Sequence, residues 1–170
     1  MGTKFSTRIW VGIVGIASIF FGSKGYADTV ISVADFGLKP DTRENAVAYV
    51  QKAIEACRGK EPVTLVFPEG RYDFWPQYAH EKNYYETNTY DVFPKRLAML
   101  FEGLHNITVD GNGSQFVMHD RIQPITVENC DGVTLKNFSI DWDIPLTAQA
   151  RVTKVGSDFF EIEINVLESP

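Results

Sequence analysis

Cysteine is nearly missing from these 170 residues: Cys57 and Cys130 are the only two. Each stands where a small apolar residue fits, Cys57 on the apolar stripe of an expected helix and Cys130 where Leu104 stands in an earlier repeat. The pair reads as buried thiols rather than a disulfide, and neither has the spacing of a metal site. Basic residues are scarce as well, 16 Lys and Arg against 22 Asp and Glu for a net charge of −6. Three of the cations, Lys4, Arg8 and Lys24, lie in the first 27 residues, which carry no acid, so the remainder stands three charges lower at −9. Without a Lys/Arg cluster there is nothing to track a phosphate backbone, which argues against nucleic acid as partner. The longest apolar run, residues 9–21, is 13 residues long. A membrane-spanning helix needs about 20.

What is present begins with that short run. Lys4 and Arg8 precede it, and Gly25-Tyr26-Ala27 follows with small residues at −3 and −1 of a cut before Asp28. This is the build of a secretory signal peptide over residues 1–27, so the mature protein is expected to be exported, periplasmic or extracellular, with no membrane insertion after cleavage.

The mature chain is organised around residues 98–142, where one pattern is written twice. A shift of 26 positions lays Phe101-Glu102 on Val127-Glu128, Leu104 on Cys130, Ile107-Thr108-Val109 on Val133-Thr134-Leu135 and Phe116 on Trp142. Short alternating strands with Gly/Asn/Asp turns at such a period signal a solenoid, because each copy buries its apolar face only against a neighbour. The expected class is all-β: the first coils of a right-handed parallel β-helix over residues 28–146, entered through a capping helix. That helix should carry its buried stripe at 46, 47, 50, 53, 54 and 57, with Asp41 and Glu44 as a capping box and Gly59 as its stop. Strands are expected at 63–67 and 71–74. Residues 75–96 interrupt the repeat as a polar, aromatic insertion without strand or helix period, a composition suited to the C–H faces of sugars or to packing on its own coil. Residues 147–170 begin an antiparallel element, with 148–155 and 159–165 joined at Gly156-Ser157-Asp158. A solenoid of so few coils leaves an apolar end, so the chain is expected to be the N-terminal part of a longer protein.

Several segments carry a resemblance. Ser32-Val33-Ala34-Asp35-Phe36-Gly37, Ala53-Ile54-Glu55-Ala56-Cys57 and Val66-Phe67-Pro68-Glu69-Gly70-Arg71-Tyr72 look like the entrance of the pectin-lyase-like β-helices. Four further segments, 95–104, 108–113, 118–124 and 135–141, resemble glycoside hydrolase family 110, the bacterial α-1,3-galactosidases. The resemblance implies release of terminal α-1,3-linked galactose, including the blood group B determinant, with inversion at the anomeric carbon and no metal or other cofactor. The implied partner is a galactose-terminated oligosaccharide or glycoconjugate, and a homodimer of the full-length protein is compatible with it. It also implies that the catalytic carboxylates come from later coils, beyond Pro170, so no catalytic residue is assigned within this chain.

Substrate contacts are sought at the coil exits. Asp141 and Asp143 share one face of an extended strand, about 6.5–7 Å apart, near the separation of about 6.5–9.5 Å that inverting glycosidases use. The same acids around Trp142 would also serve as a turn before Ile144-Pro145. At the corner between the repeats, His119 and Arg121 could bond a galactose hydroxyl, or pair with Asp120 to hold the corner. The candidate substrate-binding set is therefore His119, Arg121, Asp141, Trp142 and Asp143. Glu102 and Glu128 hold equivalent repeat positions; since a carboxylate ladder is repulsive, both are expected at solvent-facing turns. Two other readings stay open: a non-catalytic β-helical glycan binder of adhesin or tail-fibre type, and a polysaccharide lyase, against which the acidic charge counts.

Overall fold

A computed structural model describes residues 29–83, 94–147 and 149–164. The expected signal segment, residues 1–27, and residues 84–93 of the aromatic insertion lie outside them. Strand β1 (Thr29–Ser32) runs into a single 3-10 turn, Val33–Phe36, and helix α1 spans Val47–Cys57. All six positions of the expected stripe, from Ala46 to Cys57, are buried, and the helix packs on β1, on β2 (Val63–Val66) and on β5 (Lys95–Glu102). Cys57 sits at its inner end, where burial pushes the thiol up to about 11.

The capping box falls elsewhere than expected. Ser32 Oγ accepts from the Ala34 N–H, and Asp35 accepts from the Ser32 N–H, so the box starts the 3-10 turn. Asp41 is held at φ +62°, outside any helix, and its carboxylate accepts from the Arg71 N–H at 2.9 Å. Asn45 takes over at the helix, its Oδ1 accepting from Val47 N at 3.1 Å. An Asp followed by Glu three residues on carries the capping signature in sequence, but the fold spends Asp41 on anchoring the entry to β3 (Arg71–Phe74).

The strands form parallel sheets in stacked layers. β1 lies on β2, and both β2 and β3 lie on β6 (His105–Met118), with Val63 opposite Ile107 and Tyr72 opposite Phe116. β6 in turn pairs in parallel with β8 (Asp131–Trp142). A second sheet pairs β5 with β7 (Gln123–Glu128) in parallel. In both sheets the expected shift of 26 appears: Phe101 lies opposite Val127 and Ile107 opposite Val133. The alignment of Phe116 with Trp142 does not hold. Past the corner Phe116 faces Ile140 and Met118 faces Trp142, because Gly111-Asn112-Gly113 fills the lower corner where Asn137 alone fills the upper one. Two residues are lost there, and no local sequence signal marks the difference.

The wide corner nests against the narrow one. A Cβ at Gly111 would stand 2.5 Å from Phe138 Cβ and 2.7 Å from the Asn137 carbonyl oxygen, so the layers approach this closely only at glycine. Gly111→Ala is expected to destabilise the protein by about 1–3 kcal/mol through overpacking, read as a lower urea midpoint; an unchanged midpoint would refute the close stacking.

Between β3 and β5 the inserted segment is not structureless. A three-residue strand, β4 (His80–Lys82), folds back antiparallel on β5, with Glu81 opposite Arg96. Its residues are polar throughout and are held by backbone pairing and ion pairs, so no apolar alternation announces it. Strands β9 (Ala150–Val155) and β10 (Phe160–Ile164) form the expected antiparallel hairpin, closed by Gly156 N–H to Phe159 O at 2.8 Å. The core between the sheets is aromatic. Phe116 packs against Phe67, Phe74 and Phe138 with ring centroids at 4.8, 5.6 and 4.8 Å. Each such ring contributes about 2–3 kcal/mol by leaving water. Among the described residues no helix is long and apolar enough to cross a membrane.

Candidate functional site

Strand β3 alternates as its pleat requires. Tyr72 and Phe74 enter the aromatic core, while Arg71 and Asp73 point away from it, and Trp75 follows at the next outward position. The stacked strands carry this outward row upward. The His119 N–H bonds Phe74 O at 2.9 Å and the Asp143 N–H bonds Met118 O at 3.0 Å, so Trp75, His119 and Asp143 leave three successive layers side by side. The indole of Trp75 stacks on the His119 ring at 3.8 Å and 6°. Asn45 fixes Trp75 from the helix side, accepting from its N–H at 3.2 Å and donating to its carbonyl at 3.4 Å.

Asp73 is the centre of the cluster. Its side chain is 0% exposed and receives Arg71 Nη2 at 2.6 Å and His119 Nε2 at 2.8 Å, with Arg43 Nη1 at 3.9 Å. Burial alone would raise the pKa of this carboxyl; the hydrogen bonds and charges of Arg71 and His119 more than offset that and hold it below the usual carboxylate range. An ionised carboxylate only accepts, so His119 presents its Nε2–H to Asp73 and turns Nδ1 toward Asp143 Oδ2 at 3.6 Å. Arg71 reaches across β6 to the same acid, Nη2 to Asp143 Oδ1 at 3.2 Å. Asp143 is the accessible member, with 43% of its side chain exposed. The cluster thus offers one reachable carboxylate, oriented by a guanidinium and an imidazole that a buried anion locks in place. That arrangement suits accepting hydrogen bonds from hydroxyl groups. It does not suit donating a proton, because Asp73 stays ionised and buried.

No family model matches the chain. Over 144 residues it is 60% identical to alpha-1,3-galactosidase B of Bacteroides thetaiotaomicron, a match covering 85% of this chain and 23% of that protein. The chain is a relative of the bacterial α-1,3-galactosidases. It is also 37% identical over 136 residues to alpha-1,3-galactosidase A of Shewanella woodyi, covering 80% of this chain and 22% of that one. Against alpha-1,3-galactosidase B of Phocaeicola vulgatus it is 35% identical over 159 residues, 91% and 25% of the two chains. The chain therefore spans about a quarter or less of the length of these galactosidases.

Of the residues singled out in the sequence, His119 and Asp143 come together. The acid that holds His119 is Asp73, not the adjacent Asp120, whose carbonyl accepts from the Trp142 indole instead. Trp142 is half-buried against the core, and its indole N–H donates to Asp120 O at 3.3 Å, so it supports the corner from within. Asp141 lies in the outward row of Asp73 and Val117, exposed, with its Oδ1 accepting from the Trp142 N–H at 2.8 Å. Arg121 is exposed at the turn after the corner, and among the described residues no polar partner reaches it. Arg71 and Asp73 were not anticipated. Their signal was available: Arg-x-Asp-x-Trp at alternate positions of a strand whose other positions are Tyr and Phe sets two charges and a ring on one outward face.

The paired glutamates also differ from expectation. Glu102 and Glu128 lie directly opposite one another in the β5–β7 ladder. Lys82 of β4 sets its Nζ 2.7 Å from each, and these hydrogen bonds raise the lysine's pKa well above its ordinary value. The Lys82 ammonium, set between the two carboxylates, turns the repulsive pair into a clasp that fastens β4.

Proposed function

We propose that this chain is part of an exported, inverting exo-α-1,3-galactosidase that removes terminal α-1,3-linked galactose from glycans such as the blood group B antigen. The observation that carries the reading is the 60% identity over 85% of the chain with a protein of that name. Residues 1–27 act as the export signal. The stacked parallel layers are the first coils of a right-handed parallel β-helix, with α1 as the cap over its end and residues 147–170 opening an antiparallel insertion. Around the cluster, Asp143 accepts from a galactose hydroxyl, His119 and Arg71 hold it in place, and Arg121 and Asp141 flank the sugar, with Trp142 bracing the corner beneath.

The acid and base of the reaction lie outside these 170 residues. An inverting pair needs one carboxyl that is protonated at working pH. Among the described residues, the two carboxyls whose ionisation is displaced, Asp73 and Asp110, are displaced toward the anion. The test is the full-length gene product incubated with α-1,3-, α-1,4- and α-1,6-linked terminal galactosides and followed by proton NMR. Galactose should come from the α-1,3 linkage and appear first as the β anomer; α-galactose as first product, or turnover of only the other linkages, would overturn the assignment.

A further inference from the structure

Next to the cluster, lined by Pro76 and Asp120, which directly follow Trp75 and His119 in the chain, and by Gln77, Tyr78, Glu81 and Arg96, lies a cleft of about 350 Å³. We propose that it is a second saccharide subsite, holding a neutral sugar unit next to the terminal galactose of the same glycan; this rests on the galactosidase reading above.

Two features mark the cleft as built. Tyr78 is 75% exposed yet stands at φ +68°, a conformation that glycine or asparagine takes freely and a bulky side chain does not. Strained, side-chain-bearing residues cluster where the side chain itself is needed, and an exposed ring adds little to folding. The backbone is pinned under that ring: Gln51 Nε2 donates to Tyr78 O at 2.8 Å, Asn45 Nδ2 to Gln77 O at 2.9 Å, and the Ala79 N–H to Pro76 O at 3.2 Å. Asn45 is the residue that also fixes Trp75, so one side chain sets both the stacked pair of the cluster and the floor of the cleft.

The lining selects the ligand class. Glu81 and Arg96 pair at 3.3 Å, both half exposed, and with Gln77 and Asp120 they present donors and acceptors together without a net cationic charge. Sugar hydroxyls both donate and accept, and the C–H face of a pyranose packs on an aromatic ring. A polyanionic ligand would meet Glu81 and Asp120 against a single Arg96. The volume lies at the small end of ligand sites, room for one or two sugar units.

The experiment compares full-length unmodified protein with Tyr78→Ala and Tyr78→Phe on the blood group B trisaccharide and on methyl α-galactoside, which has no second sugar. Losing one ring contact is expected to raise KM for the trisaccharide roughly 3- to 10-fold in Tyr78→Ala, with kcat within about two-fold. Tyr78→Phe keeps the ring and should match the unmodified protein, and methyl α-galactoside should not distinguish the three. An unchanged trisaccharide KM in Tyr78→Ala, or an equal loss on both substrates, overturns the subsite. If the unmodified protein hydrolyses neither substrate, the galactosidase reading fails. Saturation-transfer NMR with the intact trisaccharide then decides the cleft: transfer that disappears in Tyr78→Ala supports it, and transfer equal in both proteins, or absent from both, overturns it.

Discussion

Arg71→Ala should lower the stability of the protein by about 3 kcal/mol, since removing one partner of a buried ion pair strands the other charge. Asp73 is that stranded charge, fully buried, with only His119 and the more distant Arg43 left to face it. The cost belongs to the uncompensated anion rather than to the lost contact, so Asp73→Asn added to Arg71→Ala should recover a substantial part of it. Urea denaturation of the two single variants and the double variant reads this directly. Equal losses for Arg71→Ala and for the double variant would show that packing, not charge, is at stake. The acid limb makes a second check. Folding lowers the pKa of Asp73, so its stabilising contribution is complete above the ordinary carboxylate value of about 3.9 and is lost as pH falls through the lower folded value. The unmodified protein should lose stability below about pH 4 more steeply than Asp73→Asn. A parallel decline in both would remove Asp73 from the account.

The second large effect concerns activity. In the full-length protein, Asp143→Ala is expected to reduce kcat/KM for a terminal α-1,3-galactoside by roughly 10- to 100-fold, the scale of one charge-assisted hydrogen bond to substrate. The loss should fall mainly on KM, because a hydroxyl held before and during reaction is bound uniformly. Stability should change by less than about 1 kcal/mol, because the pair with Arg71 is partly exposed and screened. A variant that loses stability while keeping its kinetics would make Asp143 a strut for Arg71 and not a sugar ligand.

The sequence carried the repeat because stacking leaves a mark: Phe101 and Val127, or Ile107 and Val133, must be alike to share a column. It carried α1 for a similar reason, since one face of that helix has to be apolar from Ala46 to Cys57. It failed at the corners, where the difference between Gly111-Asn112-Gly113 and Asn137 is a matter of backbone path and shifts every later pairing by two. It failed at β4, because His-Glu-Lys is held by Arg96, Glu102 and Glu128, residues that only the folded chain brings near. The same argument applies to the candidate site. His119 and Asp143 stood out as polar residues at repeat exits, whereas Asp73 stood in a short strand beside Tyr72 and Phe74 and was not singled out. Its burial is made by its partners. Like charges at Glu102 and Glu128 were expected to avoid each other, and the residue that reconciles them, Lys82, lies far away in sequence.

The proposed division of labour is the central claim: on that reading these residues form the scaffold and one wall of a sugar site, and the acid and base come from elsewhere in the protein. The direct test is galactose release from the blood group B trisaccharide, measured in parallel for the 170-residue chain and for the full-length gene product at equal concentration. The account predicts turnover by the full-length protein and none by the 170-residue chain. Sustained release of galactose by the 170-residue chain alone would contradict it.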